Sequence, residues 1–204
     1  HVGKPGATEN DRQWVDAGVW RYHPVTHRFE IFTEGGSNPW GIDFDEHGNL
    51  WSEMCVIPHL FHMIQGARLL RQGGEHYTYN RDETQRNAKH RDTRSRKSIF
   101  PFVYEDIGTH ADHVHWAGAA GPHAANGRSD AMGGGHAHAG MLCYLGTSWP
   151  ASYRNNLIIG NIHGQRLNID LPVARGSGYV GKHGQDFLNF NDRWSQTLNQ
   201  RLDP

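Results

Sequence analysis

Three observations predict that this sequence forms an all-β fold with at most one short helix. Only 36% of its 204 residues are hydrophobic, while 25 are glycine. Aromatic side chains are plentiful, with seven Trp, seven Tyr and eight Phe, and such residues pack well on pleated sheets. Glycine and proline interrupt the apolar runs too often for long helices. A chain of this length can bury a sizeable core, and we expect a single domain.

The N-terminal region predicts two hairpins. The segments "GVWRYHP" and "RFEIFTE" flank the turn "VTH" within residues 18–34 and are rich in residues that favour strands. In "NPWGIDFDEHGNLWSEM", Ile42 and Phe44 alternate with aspartates, and Gly48 can adopt the left-handed angle of a turn. We therefore expect antiparallel strands within residues 18–55, with Ile42 and Phe44 buried.

The middle of the chain contains the most helix-like segment and the most polar one. In "VIPHLFHMIQGARLLRQ", Leu60, Ile64 and Leu69 recur at helical intervals. Pro58 and Gly66 weaken this pattern, so we expect at most one short helix. Residues 80–98 carry seven Arg or Lys against three Asp or Glu. The composition favours a solvated insertion at about 81–98 that can be deleted without loss of stability. The alternative is a docking segment for an anionic partner.

The C-terminal part predicts a second strand-rich region. The segments "GMLCYLG", "NLIIGNIHG" and "QRLNIDLPV" are apolar runs of strand length within residues 140–173, separated by Gly164 and by "TSWPASYRN". We expect antiparallel hairpins here, with Leu142, Ile158 and Ile159 buried.

Charge and cysteine content exclude several classes of protein. The formal net charge of −1 provides no electrostatic footprint for nucleic acid or an acidic membrane. No apolar run reaches the length of a membrane-spanning helix. Cys55 and Cys143 are the only cysteines and form no CxxC or CxxCH motif, so a haem c attachment site and a four-cysteine zinc site are excluded. The sequence is compatible with either of two states, a single disulfide or two free thiols.

Six histidines fall within 29 residues, in the segments "HADHVHW", "GPHAANGRSD" and "GGGHAHAG". In an extended segment the spacing of His113 and His115, and of His136 and His138, puts both imidazoles of a pair on one face. Imidazole is a common ligand of divalent transition metals. The predicted metal ligands are His113, His115 and His123, with Asp112 or Asp130 as alternatives for the third ligand. The other interpretation is a polar loop whose histidines hydrogen-bond to backbone carbonyls.

Polar groups close to this cluster suit a hydroxyl-rich or carboxylate-bearing ligand. The segment "NGRSD" supplies Asn126, Arg128 and Asp130, which are a donor, a fixed cation and an acid, so we predict that they bind substrate. The glycines before His136 allow the backbone to approach a ligand closely. The alternative is that Arg128 and Asp130 only pair at the surface.

Two long motifs carry a resemblance to a known family. The hairpin "NPWGIDFDEHGNLWSEM" looks like a β-propeller blade, and "HAHAGMLCYLGTSWPASYRNNLIIGNIHGQRLNIDL" resembles a blade of the glucose and sorbosone dehydrogenases. The chain is most similar to the membrane-bound dehydrogenases of the haem-binding CxxCH type, over residues 13–79 and about 106–202. This resemblance implies a partial β-propeller, from a six-bladed parent, across residues 1–204. Residues 81–105 depart from the family pattern, and we expect the haem module and the next blade to lie outside this chain.

The propeller interpretation also implies which residues meet. Loops from different blades converge at the mouth of a central channel, where His136, His138 and His163 are the candidate general bases, since the pKa of histidine lies near working pH. We expect both imidazoles of the "HAHAG" segment to be exposed in the pocket, so that their removal leaves the fold intact. The residues predicted to converge there and bind substrate are Asn161, Asp192 and Arg193.

The resemblance implies oxidation of a sugar or alcohol outside the cytoplasm, with electrons passed to a c-type haem module. The implied cofactors are pyrroloquinoline quinone and calcium. Two alternatives stay open on the sequence. One is a non-catalytic propeller that binds carbohydrate or protein, and the other is a histidine-based metalloenzyme with a divalent transition metal.

Overall fold

The structure is a computed structural model, and it describes residues 2–69 and 138–202 except for positions 14, 16, 37, 56–58, 163 and 193. These residues belong to two compact units. The first unit contains the described residues up to 36 together with 64–69, and the second contains 38–63 together with 138–202. The expectation that the chain is one propeller domain stays a prediction, as does the insertion at 81–98, which lies outside the described residues.

The all-β class is confirmed, because strands dominate the described residues and the helices there are single 3₁₀ turns at Glu9–Asp11 and Ala151–Tyr153. The strands, in chain order, are β1 (Gly18–His23), β2 (Arg28–Gly35), β3 (Pro39–Phe44), β4 (Leu50–Met54), β5 (Leu60–Met63), β6 (Arg68–Leu69), β7 (His138–Cys143), β8 (Leu157–Asn161), β9 (Arg166–Arg175), β10 (Gly178–His183) and β11 (Leu188–Asn189).

The first unit is built on the predicted hairpin of β1 and β2. The two strands are antiparallel, with a bulge between Val19 and Trp20, and β6 adds a short parallel pairing to β2. The order β1-β2-β6 leaves β1 at an edge of this sheet. Before it, the segment 2–13 closes on itself through a backbone bridge between Val2 and Gln13.

The second unit contains the predicted hairpin of β3 and β4, which β5 extends into an antiparallel sheet. The turn between β3 and β4 forms around Gly48, whose φ of +79° lies in the left-handed region. The carboxylate of Asp45 accepts hydrogen bonds from Asn49 and from the Trp51 indole N–H. Burial raises the pKa of Asp45, but these hydrogen bonds outweigh it and leave the pKa below its ordinary value.

The same unit contains the larger sheet, in the order β10-β9-β8-β7 with β11 also paired to β9. The antiparallel pairings of β7, β8 and β9 confirm the predicted hairpins. Leu142, Ile158 and Ile159 are buried as expected. Both faces of this sheet are covered, since Met141 and Ile159 pack with Trp51 on one face while Leu142 and Ile158 pack with Tyr144 on the other. Apolar runs without alternation are typical of strands buried on both faces.

The helix-like pattern around Leu60 does not form a helix, in agreement with the expectation of at most one short helix. Residues Leu60–Met63 form β5, all four are buried, and they pair with β4. Short apolar runs fit a buried strand and a buried helix equally well, because periodicity cannot separate them.

The prediction that Ile42 and Phe44 are buried is wrong, since their exposed fractions are 44% and 54%. The opposite face of β3 lies against β7. There Asp43 Oδ2 accepts a hydrogen bond from the Cys143 backbone N–H at 2.8 Å. At Gly41 an added Cβ would lie 2.5 Å from the Met141 backbone nitrogen. The face of β3 that carries Gly41 and Asp43 is turned inward, because the backbone of β7 and not an apolar core packs against it.

Both cysteines are free thiols, so the question left open by the sequence is decided. Cys143 is buried, and burial together with nearby carboxylates raises the pKa of its thiol to about 12. A thiol with that pKa is protonated at neutral pH and is a poor nucleophile. Cys143 therefore acts as a small apolar side chain of the core.

Candidate functional site

The inner face of β9 carries a buried polar stripe. Arg166, Asn168 and Asp170 alternate along the strand with Leu167 and Ile169, which pack into the apolar cluster on the other face. Asn168 and Asp170 have exposed fractions of 2% and 1%. A polar face on a strand is usually solvated, and burying it is costly unless its groups are hydrogen-bonded. The contacts of this stripe therefore define the candidate site.

Asp170 pairs with a histidine from a distant part of the chain. Its Oδ2 lies 2.6 Å from Nε2 of His59, and both side chains have an exposed fraction of 1%. The His59 carbonyl accepts a hydrogen bond from the Met54 N–H, which fixes the residue between β4 and β5. An ionised carboxylate can only accept hydrogen bonds, so a histidine ring paired with one through Nε2 donates its proton there.

His138 stacks on this pair. The ring centroids of His59 and His138 are 4.5 Å apart, with an interplanar angle of 25°. His138 is the first residue of β7, and its N–H donates to the carbonyl of Cys55. Its exposed fraction of 1% makes the expectation of an exposed pocket histidine wrong for His138. The reason is that its ring stacks on the buried His59 ring and is covered there.

Glu53 on β4 places a carboxyl group next to β7. Its Oε1 accepts a hydrogen bond of 3.0 Å from the Gly140 N–H, two residues after His138. Within the part of the chain that the structure describes, Oε2 has no hydrogen-bond partner. Burial raises the pKa of Glu53 to about 8, and the Gly140 hydrogen bond only partly opposes this effect. Glu53 is therefore mainly protonated at neutral pH, and it can donate a proton.

Amide groups connect the stripe to a second histidine–aspartate pair. Asn161 Nδ2 donates to Asn168 Oδ1 at 2.9 Å, and Asn168 Nδ2 donates to Asp186 Oδ1 at 2.7 Å. Asp186 also contacts Nε2 of His183 and Nη1 of Arg166. Burial acts to raise the pKa of Asp186, but hydrogen bonds from His183, Asn168 and Arg166 lower it overall. Asp186 is thus a carboxylate that anchors the network.

Three of the residues predicted as catalytic or substrate-binding lie within the described part. His138 and Asn161 are direct neighbours across the β7–β8 pairing, so the structure brings these two together. Asp192 lies on the surface, where its carboxylate accepts a hydrogen bond from the Trp194 backbone N–H. The remaining predicted site residues lie outside the described residues: His113, His115, His123, Asn126, Arg128, Asp130, His136, His163 and Arg193.

Sequence reasoning missed His59, Glu53 and Asp170. A signal for Asp170 was present, because "RLNIDL" alternates polar and apolar residues with the period of a strand that has two different faces. His59 lies in the segment with the most helix-like pattern, and it is 111 positions from Asp170. Nothing in the local sequence connects the two.

Proton transfer is the chemistry that this arrangement can perform. It contains an oriented imidazole, a carboxylate that fixes its tautomer, and a neutral carboxylic acid at Glu53. Among the described residues, no group of three or more His, Cys, Asp or Glu side chains is arranged to hold a metal ion. The predicted metal ligands fall outside those residues, so that hypothesis stays a prediction.

Comparison with known proteins assigns the chain to a family. It belongs to the DUF7133 family, a domain of unknown function, whose family model matches residues 2–204. Neither the curated proteins nor the solved structures contain a match to the chain. Among the described residues, no helix has the length and apolar character needed to cross a membrane.

Proposed function

We propose that this domain oxidises a sugar or another alcohol, with His59 as the general base that takes the proton of the substrate hydroxyl. The observation that carries the proposal is the 2.6 Å hydrogen bond between His59 Nε2 and Asp170 Oδ2 in a fully buried environment. A carboxylate in this position holds the tautomer of the imidazole and stabilises the imidazolium that forms when the ring takes a proton.

The position of the pair supports a role beyond packing. His59 directly precedes β5, His138 begins β7 and Asn161 ends β8. Polar groups therefore gather where strands join their connecting segments, while the apolar cluster around Trp51 and Leu157 fills the rest of this face. Both side chains of the pair have an exposed fraction of 1%, so the proposed reaction requires a conformational change that admits the substrate.

The proposed reaction removes a proton and a hydride from one alcohol group. The His59 imidazole takes the hydroxyl proton, the carbon–hydrogen bond breaks, and the hydride passes to a two-electron acceptor of the quinone class. Pyrroloquinoline quinone would supply such an acceptor when bound. Calcium is the second cofactor that the sequence resemblance implies. The sequence resemblance supports two further parts of the proposal, an extracytoplasmic location and a c-type haem module as the later electron acceptor.

The test is dye-coupled oxidation of a panel of aldoses and alcohols, with and without added pyrroloquinoline quinone and calcium. General acid–base catalysis contributes about 10²–10⁴-fold to rates, so His59→Ala and Asp170→Asn are expected to lose activity in that range. The matched control is His47→Gln, because His47 is an exposed histidine of the same unit, and its activity is expected to stay unchanged.

Two further measurements separate a missing base from a damaged fold. Added imidazole is expected to restore part of the activity of the His59→Ala protein, since the substitution leaves a cavity of that shape. Circular dichroism reports whether the variants keep their strands. Absence of oxidation across the panel, or unchanged rates in folded variants, would refute the proposal. The second of these results would favour a purely structural role for the pair.

A further inference from the structure

The first unit contains a pocket that is separate from the buried histidine–aspartate pair. Its volume is about 380 Å³, and it is lined by Val2, Gly3, Lys4, Pro5, Gly6, Arg12, Trp20 and Tyr22. Ligand pockets span roughly 300–1,000 Å³, so this one has room for a single small ring. The lining residues include two cations and two aromatic rings, but no acid.

Strand β1 supplies the aromatic side of this pocket. Trp20 and Tyr22 are two positions apart on an edge strand, so both project from the same face. The Trp20 ring rests against Phe29, with centroids 5.7 Å apart. The Tyr22 hydroxyl is hydrogen-bonded to His27 Nδ1 at 3.1 Å. Trp20 keeps an exposed fraction of 49%. The contact with Phe29 therefore supports the Trp20 ring and leaves about half of the side chain open.

Two local features of the backbone shape the pocket. A bulge separates Val19 from Trp20, and bulges commonly re-aim a side chain beside a binding site. The opposite wall is the segment that contains Lys4, where the Ala7 N–H donates to the Lys4 carbonyl in a tight turn. Gly6 in this turn has a φ of +78°, which favours glycine. The cations are thus presented by a closed loop and not by a free end.

The nearby acids are already engaged. Asp11 Oδ2 accepts a hydrogen bond of 2.6 Å from the Thr8 hydroxyl, and the hydrogen bonds from Thr8 lower the pKa of Asp11. Glu9 lies 3.9 Å from Arg12, and both side chains are largely exposed. An exposed pair at that distance contributes little, so Arg12 can exchange Glu9 for the carboxylate of a ligand.

We infer that this pocket binds a carboxylated sugar ring, a hexuronic acid unit of an acidic polysaccharide. The C–H face of a pyranose is apolar and fits against Trp20, while its hydroxyl groups suit Tyr22. The ring carboxylate suits Lys4 and Arg12, because guanidinium groups bind carboxylates with two hydrogen bonds. A nucleic-acid strand would also use aromatic stacking, but it needs an extended basic groove. Two cations in a chain of net charge −1 do not provide one.

Isothermal titration of the full chain with tetragalacturonate tests the inference, with maltotetraose as the neutral ligand of matched length. Tetragalacturonate is expected to bind at least tenfold more tightly than maltotetraose, and added salt should weaken this preference. The double variant Lys4→Gln/Arg12→Gln is expected to lose tenfold or more in affinity for tetragalacturonate. It should bind maltotetraose unchanged.

Two tryptophan variants give the matched comparison. Trp20→Ala is expected to weaken binding of both sugars about tenfold or more, whereas Trp20→Phe keeps an aromatic face and most of the affinity. The control is Trp40→Ala, since Trp40 is similarly exposed at 56% but belongs to the other unit, and it should bind like the unsubstituted protein.

Three results would overturn the inference. The first is no binding of tetragalacturonate at millimolar concentration, and the second is equal loss of affinity in Trp40→Ala and Trp20→Ala. The third is tighter binding of an oligothymidylate that is lost in the same variants, which would identify a nucleic-acid site. Because this pocket is independent of the His59–Asp170 pair, absence of alcohol oxidation does not bear on it.

Discussion

The buried carboxyl group of Glu53 predicts a specific dependence of stability on pH. Burial raises the pKa of Glu53 from an ordinary 4.5 to about 8 in the folded state. Between these two pH values the folded protein holds a proton that the unfolded chain has lost, so the free energy of unfolding falls as pH rises. Each pH unit in that window corresponds to about 1.4 kcal/mol for one group. We therefore expect Glu53 to contribute a loss of about 3–4 kcal/mol between pH 5 and pH 8.

Glu53→Gln removes the titrating group while keeping its shape. The amide oxygen can still accept the hydrogen bond from Gly140, and the amide N–H₂ takes the place of Oε2, which has no hydrogen-bond partner among the described residues. A buried donor without a partner costs about 1–3 kcal/mol, but this cost does not change with pH. The informative quantity is thus the change in stability between pH 5 and pH 8, and not the stability at either pH.

Urea unfolding followed by tryptophan fluorescence at pH 5, 6, 7 and 8 measures this quantity. The difference between unsubstituted protein and Glu53→Gln is expected to change by about 3–4 kcal/mol across the series, in favour of the variant at high pH. The control is Glu9→Gln, because the Glu9 side chain is 65% exposed, and its profile should follow that of the unsubstituted protein. Parallel profiles for Glu53→Gln and the unsubstituted protein would show that Glu53 is ionised in the folded state, and would refute this reasoning.

Three further predictions concern packing. Gly41→Ala places a Cβ 2.5 Å from the Met141 backbone nitrogen, so we expect the free energy of unfolding in urea to fall by about 1–3 kcal/mol. Unchanged stability would show that β3 does not lie against β7. Leu157→Ala removes a side chain with 0% exposure and is expected to cost about 2–5 kcal/mol, whereas Leu202→Ala, at 43% exposure, should cost far less in the same assay. Deletion of residues 81–98 should leave the melting temperature nearly unchanged because the segment is almost devoid of apolar side chains, and a large fall would mean that it packs.

Local patterns predicted most of the strands. The alternation in "GIDF", the turn at Gly48 and the run "NLIIG" each depend on neighbours a few residues away, and they became β3, the β3–β4 turn and β8. Even there the sequence left one choice open. The alternating strand β3 has two faces, and only the approach of β7 decided that Asp43 points inward and Phe44 outward.

The candidate site could be located only from the tertiary structure. The sequence by itself determined the all-β class, the hairpins and the position of His138 beside the glycine-rich segment, because backbone angles and side-chain period are local properties. Only the folded chain decided that His59 meets Asp170 and stacks on His138. It also decided that the polar face of β9 is buried. A burial pattern depends on what packs above a strand, and here His59, the residue before β5, contacts Asp170 from 111 positions away.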